Sequence, residues 1–213
     1  MTTLLRLTAV VLPLTLAGCG GAQRTARENV PPKPVPDSYR AIVETNKGNL
    51  TVEVPRAWAP EGAERFYRLL EQRFYADARF FRVVPRFVVQ FGIHGNPAVS
   101  ARWRNMTFAD DPPKEHNRRG TISFAANGRN TRTTQVFINL KDNLHLDKTG
   151  LVPFGKVVEG MDVADRLYSS YGEFPPRGAG PDPNLIEAKG NAYLESKFPR
   201  LDYIIRARIV DAK

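Results

Sequence analysis

At 213 residues, 42% hydrophobic and 10% aromatic, the chain can fill one substantial core. It shows no internal repeat, which excludes a solenoid or propeller and makes one folded domain the expectation. The formal charge of +9 raises nucleic acid as a partner, but its 31 Lys and Arg are scattered singly, without a basic block or a nucleic-acid motif, so no nucleic-acid binding is expected.

Residues 1–18 read as a targeting segment. Arg6 and the amino terminus give a thin positive region, Leu7 to Leu16 is an apolar run, and Leu16-Ala17-Gly18-Cys19 closes it with small residues. The run is far too short for a spanning helix. Leu-Ala-Gly-Cys resembles the lipobox of bacterial lipoproteins, which implies cleavage before Cys19, lipidation of Cys19 and a lipid-anchored protein of the bacterial envelope. Gly20 after that cysteine is compatible with sorting to the periplasmic face of the outer membrane in a cell with two membranes. Cys19 is the only cysteine, so the chain forms no intramolecular disulfide. Residues 19–38 lack hydrophobic periodicity and contain Pro31-Pro32-Lys33-Pro34-Val35-Pro36, the composition of a semi-rigid tether.

The folded domain is expected over 39–213. Tyr39 to Thr45 and Leu50 to Val54 flank Asn46-Lys47-Gly48-Asn49 as a hairpin. Pro60, Glu61 and Glu64 open a helix in which Ala63, Phe66, Leu69 and Leu70 recur at helical spacing. Strands are expected at Arg79 to Val84, Phe87 to Phe91, Thr121 to Ala125, Gln135 to Leu140, Phe154 to Val158 and Leu201 to Val210, with a second helix over Met161 to Ser169. Gly172 to Gly180 is a Gly/Pro loop, and Asn184 to Lys197 adds a short C-terminal helix. Short strands with few helices favour a mainly β fold, a closed antiparallel barrel.

The chemistry concentrates in Phe80-Phe81-Arg82-Val83-Val84-Pro85-Arg86-Phe87-Val88-Val89-Gln90 and Gln135-Val136-Phe137-Ile138. Arg82, Val88 and Gln90 share parity, so a regular strand presents them on one face. An arginine and a glutamine beside apolar and aromatic groups suit a groove that holds a proline ring with a guanidinium at the adjacent amide. With Gly120-Thr121-Ile122-Ser123-Phe124-Ala125 and Phe154-Gly155-Lys156-Val157-Val158-Glu159-Gly160-Met161, in that order, these segments resemble the cyclophilin family of peptidyl-prolyl isomerases from about Tyr39 onward.

The resemblance implies an eight-stranded barrel capped by a helix at each end, and isomerase activity on Xaa-Pro bonds of unfolded or flexible envelope or secreted polypeptides, without a cofactor or metal. It makes Arg82 the catalytic residue, Phe87, Val88, Phe137 and Leu146 the proline pocket, and Gln90 a ligand of the peptide backbone. Ala125, Ala126, Gln135 and His145 complete the substrate-binding set. Asn127, Arg129, Thr131, Arg132 and Thr134 are expected at an entrance that selects the residues before proline. Phe81, Val88, Ala126 and Val136 depart from the residues common in the family, His, Met, Asn and Phe.

Other chemistries find less support. His94, His116 and His145 lack metal-ligand spacing, Asp110-Asp111-Pro112-Pro113 reads as a turn, and Ser123 lacks a nucleophile elbow. The alternative from another class is a membrane-tethered chaperone module that binds prolyl peptides without catalysis; a purely structural lipoprotein leaves Arg82 and Gln90 without a purpose. Nothing demands more than a monomer.

Overall fold

Alternation of apolar and polar residues builds the first hairpin. In the computed structural model, which describes residues 33–212, β1 (Ser38–Thr45) and β2 (Gly48–Pro55) pair antiparallel, with Ala41, Val43, Val52 and Val54 buried. Helix α1 (Pro60–Glu71) then buries Ala63, Phe66, Leu69 and Leu70, as their spacing predicts. Its N-cap, Ala59, has no side-chain acceptor. The acceptor arrives from far along the chain, because the Asp111 carboxylate takes hydrogen bonds from the amides of Glu61 and Gly62 at 2.9 and 3.0 Å. Asp111 is therefore a buried cap and not a turn residue.

The remaining elements are β3 (Arg82–Val84), β4 (Val88–Phe91), α2 (Pro97–Trp103), β5 (Thr121–Phe124), β6 (Val136–Asn139), β7 (Pro153–Glu159), α3 (Met161–Asp165), α4 (Pro183–Lys189), α5 (Asn191–Lys197) and β8 (Ile204–Ala212). Helix α2 escaped the sequence reading, although Pro97 at its start and the Asn96 side chain, which accepts from the Ala98 amide, are ordinary start signals. The second expected helix stops at Asp165. The C-terminal helix is two short ones meeting at Gly190.

All eight strands join one antiparallel sheet, in the order β3-β4-β6-β5-β7-β2-β1-β8. Its two ends meet through the residues just before β3 and β8. There Asp77 and Phe80 donate to the carbonyls of Ile204 and Asp202, Ile204 donates to that of Ala78, and Arg79 bridges Tyr203. This is the expected barrel, closed by an irregular stretch instead of a full ladder. Its interior holds Val52, Val89, Ile122, Phe124, Ile138 and Phe154, all essentially without exposed surface. Helix α1 packs on β7 and β8, and α3 on β2. A separate cluster of Phe81, Ile93, Ile186, Leu194 and Leu201 seats α4 and α5.

Val35 belongs to the main core, so packing begins ahead of Tyr39. The targeting segment, Cys19 and the tether up to Pro32 lie outside the described residues. Among the described residues no helix is long and apolar enough to cross a membrane.

Candidate active site

Strand register places the key side chains. Arg82 on β3 lies opposite Gln90 on β4, and Gln90 lies opposite Phe137 on β6, so the three form a row across adjacent strands. Their neighbours Val83, Val89 and Ile138 enter the barrel core, which turns the row to the outer face. Pro85 sits in the turn between β3 and β4 and leaves the ladder intact, with Val84 opposite Val88. Arg82, Val88 and Gln90 therefore share one face of the β3–β4 pair, as their spacing predicts.

Polar contacts order this row. Arg82 Nη1 donates to Gln90 Oε1 at 3.0 Å, and Gln90 Nε2 donates to Gln135 Oε1 at 3.0 Å. The guanidinium also stands over the Phe87 ring, 5.3 Å from its centroid. His145 stacks on that ring, with centroids 6.0 Å apart and planes 18° from parallel.

His145 and Leu146 come from a 3₁₀ turn, Leu144–Thr149, held by a buried amide network. Asn143 Nδ2 donates to the carbonyl of Phe87 and to Asn139 Oδ1, both at 2.9 Å, which ties the turn to Phe87 and to the end of β6. From the other side Asp147 accepts from Asn117 N and Nδ2 at 2.9 and 2.8 Å, and its second oxygen meets His116 Nδ1 at 2.8 Å. Burial pushes the Asp147 carboxyl upward, but the bonds from Asn117 and His116 outweigh it and hold the group below the usual carboxylate range.

Beside the row opens a cavity of about 610 Å³. Gln90, Ala125, Ala126, Asn127, Thr131 and Gln135 line it, as the sequence reading expects, with Thr133 between them. Arg132 and Thr134 do not. Arg132 is 1% exposed: it donates to the carbonyl of Ala109 at 2.7 Å and pairs with Asp110 and Asp111 at 3.0 and 3.4 Å. The 3.0 Å contact is an ion pair whose angles fall outside a hydrogen bond. Thr134 is buried and donates to the carbonyl of Gly92. The physical reason is parity, since Thr131 and Thr133 face the cavity while Arg132 and Thr134 point inward. Arg129 is exposed and outside the lining.

The opposite wall was not anticipated. Phe174, Pro176, Arg177 and Pro183 form it, from the Gly/Pro loop and the start of α4. In the same loop Glu173 engages Arg82 through both carboxylate oxygens, with Nε–Oε2 at 2.8 Å and Nη2–Oε1 at 2.7 Å. The sequence offers one local signal: Glu173 is the only carboxylate among residues 172–180.

With this geometry in view, the known relatives fall into place. The sequence profile of the family described as cyclophilin type peptidyl-prolyl cis-trans isomerase/CLD matches residues 40–177. Peptidyl-prolyl cis-trans isomerase-like 2 of Gibberella zeae is 36% identical over 142 residues, 64% of this chain and 24% of that protein, so the match spans about a quarter of that relative. Peptidyl-prolyl cis-trans isomerase A of Dickeya dadantii is 34% identical over 61% of this chain and 71% of its own length, and the Helicobacter pylori isomerase 35% over 60% and 79%. Among solved structures, a cyclophilin type isomerase from Cryptosporidium parvum superposes with a TM-score of 0.60 at 21% identity, covering 83% of this chain and 99% of its own. The barrel, the order of its segments and the profile over most of the described residues agree: the chain belongs to the cyclophilin-type peptidyl-prolyl cis-trans isomerase family.

Proposed function

We propose that this chain isomerises Xaa-Pro bonds in unfolded or flexible polypeptides of the cell envelope, as a monomer anchored through Cys19. The observation that carries the catalytic part is the row Arg82, Gln90, Phe137 on the outer face of β3, β4 and β6. Twisting an amide breaks its conjugation, at a barrier of about 18–20 kcal/mol. No covalent bond changes, so no nucleophile is required. As conjugation is lost the prolyl nitrogen regains a lone pair, and a donor aimed at it stabilises the twisted state more than the planar one. Arg82 carries such donors next to Phe87 and Phe137, whose apolar faces take the ring. Gln90 and the chain at Ala125 to Asn127 border the cavity that receives the residues preceding proline. The Cryptosporidium parvum isomerase has also been solved in the presence of the dipeptide Ala-Pro, a ligand of the class argued here from the residues themselves.

Protease-coupled turnover of a short proline peptide tests the catalytic reading. Arg82→Ala, if folded, is expected to lower kcat/KM roughly 10²- to 10³-fold, the cost of removing a preorganised donor. Turnover equal to that of the unmodified protein refutes the mechanism, and a folded protein that binds prolyl peptides without turnover favours the chaperone reading. Mass spectrometry of the mature amino terminus tests the anchor: a diacylglyceryl group on a terminal Cys19 is expected, and an unmodified terminus refutes it.

A further inference from the structure

Arg82 is gripped by Glu173, a residue of the loop that walls the cavity but one to which the isomerase reading gives no role. Gly172 forms an antiparallel bridge with Val83, which sets Glu173 beside β3. Its carboxylate grips Arg82 Nε and Nη2 in the bidentate geometry that planar guanidinium and carboxylate groups favour. Gln90 holds the third nitrogen. Phe174 adds its ring, 5.3 Å from the guanidinium carbon, and packs against the cluster of Phe81, Ile93, Ile186, Leu194 and Leu201. Each terminal nitrogen keeps a second N–H without a partner among the described residues.

The segment is tied down on every side. Gly180 N donates to the Glu173 carbonyl at 2.8 Å, and Arg177 N and Gly178 N donate to that of Phe174 at 3.1 and 3.2 Å. A Cβ on Gly178 would stand 2.3 Å from the Glu173 carbonyl oxygen, so the loop closes around Glu173 only because that position is bare. Such anchoring suits a fixed support and not a cover that must swing away for each substrate.

We propose that Glu173 is a positioning residue for the isomerase reaction, fixing the guanidinium of Arg82 so that its remaining N–H groups face the prolyl nitrogen. The proposal rests on the isomerase reading. A long arginine free to sample many rotamers presents its donors correctly only part of the time, and clamping it removes that loss before the peptide binds. Because Glu173 acts on the donor and not on the peptide, its removal should appear in kcat and not in KM.

The test uses the full-length chain purified in detergent, with Glu173→Ala and Glu173→Gln. Glu173→Ala is expected to lower kcat about tenfold or more, the scale of misplacing a reacting group by about 1 Å, with KM unchanged. Glu173→Gln keeps the shape and one good acceptor and should fall between, which also preserves the test if the alanine variant does not fold. In ¹⁵N spectra the Arg82 Nε–H signal, assigned by its loss in Arg82→Ala, should be sharp in the unmodified protein and broadened in Glu173→Ala. Folded Glu173 variants with unchanged kcat overturn the proposal, as does a rise in KM alone or a loss of kcat with the Nε–H signal unaltered. A rise in kcat also overturns it and makes the segment an inhibitory cover. An unmodified protein without turnover fails the isomerase reading itself, and the positioning role with it.

Discussion

Arg132→Met separates a structural arginine from one that meets substrate. The side chain is 1% exposed, and the Asp111 carboxylate it faces is equally buried. Removing the cation leaves Asp111 charged in the interior and the Ala109 carbonyl without its donor. Breaking a buried pair in this way costs about 3–5 kcal/mol. Asp111 keeps its bonds from the first amides of α1, where the helix end favours negative charge, so the expected cost is near the lower limit, about 3 kcal/mol. For a domain of this size, at about 2–4 °C per kcal/mol, the melting midpoint falls by about 6–12 °C. Below that midpoint kcat/KM should be unchanged, because Arg132 does not line the cavity. The double variant Arg132→Met/Asp111→Asn should recover part of the loss, since a neutral amide still accepts from the helix. Circular dichroism melts and protease-coupled turnover measure both quantities. An unchanged midpoint with lost turnover refutes the assignment and returns Arg132 to the entrance.

Asp147 makes the stability of the 3₁₀ turn depend on acid: its folded-state pKa is depressed, so its contribution is complete above the unfolded value of about 3.9 and fades as pH falls through the lower folded value. Asp147→Asn should therefore be about 1–2 kcal/mol less stable at neutral pH and lose less on acidification, and parallel stability–pH curves for the two proteins contradict this. Gly190→Ala should free α4 and α5, because the added Cβ would lie 1.9 Å from the Gly95 carbonyl oxygen at a φ of 61° that costs other residues about 1–3 kcal/mol. Hydrogen exchange should rise across 183–197 while the barrel strands stay protected, and unchanged protection there refutes the argument.

The barrel, and Arg82 and Gln90 on one face of it, were legible because strands obey a period of two, and one glutamine or arginine among valines marks the outer face, whereas Phe137 was named through the family resemblance alone. The same rule, carried through Thr131-Arg132-Thr133-Thr134, sorts that stretch into two facing the cavity and two pointing inward. A basic residue beside a binding loop looks like a specificity residue until parity is applied. Asp111 was less accessible. Its partners Glu61 and Gly62 lie some fifty residues earlier in the chain, and only the packing of α1 reveals that Ala59 leaves amides for another residue to satisfy. The Glu173 contact spans 91 residues and follows no local period, so no sequence pattern couples it to Arg82.

Phe81 connects these observations. The family resemblance leads one to expect histidine there, next to the arginine, and a polar ring would need no cover. Phe81 lies just before β3, outside the ladder, and leaves the barrel core to Phe80 and Val83; an apolar ring there must be buried by something else, and it is, at 1% exposure. What buries it lies after the last residue the family profile matches: Ile186 of α4, Leu194 of α5, and Leu201; Tyr171 and Phe174 pack at the margin. Once Phe174 is seated there, Glu173 is one residue away from it and lies within reach of the guanidinium. The apolar residue at 81, the helices beyond the family profile and the carboxylate on Arg82 therefore form one physical unit, in which burial of a single ring brings an anion to the arginine that follows it in the chain.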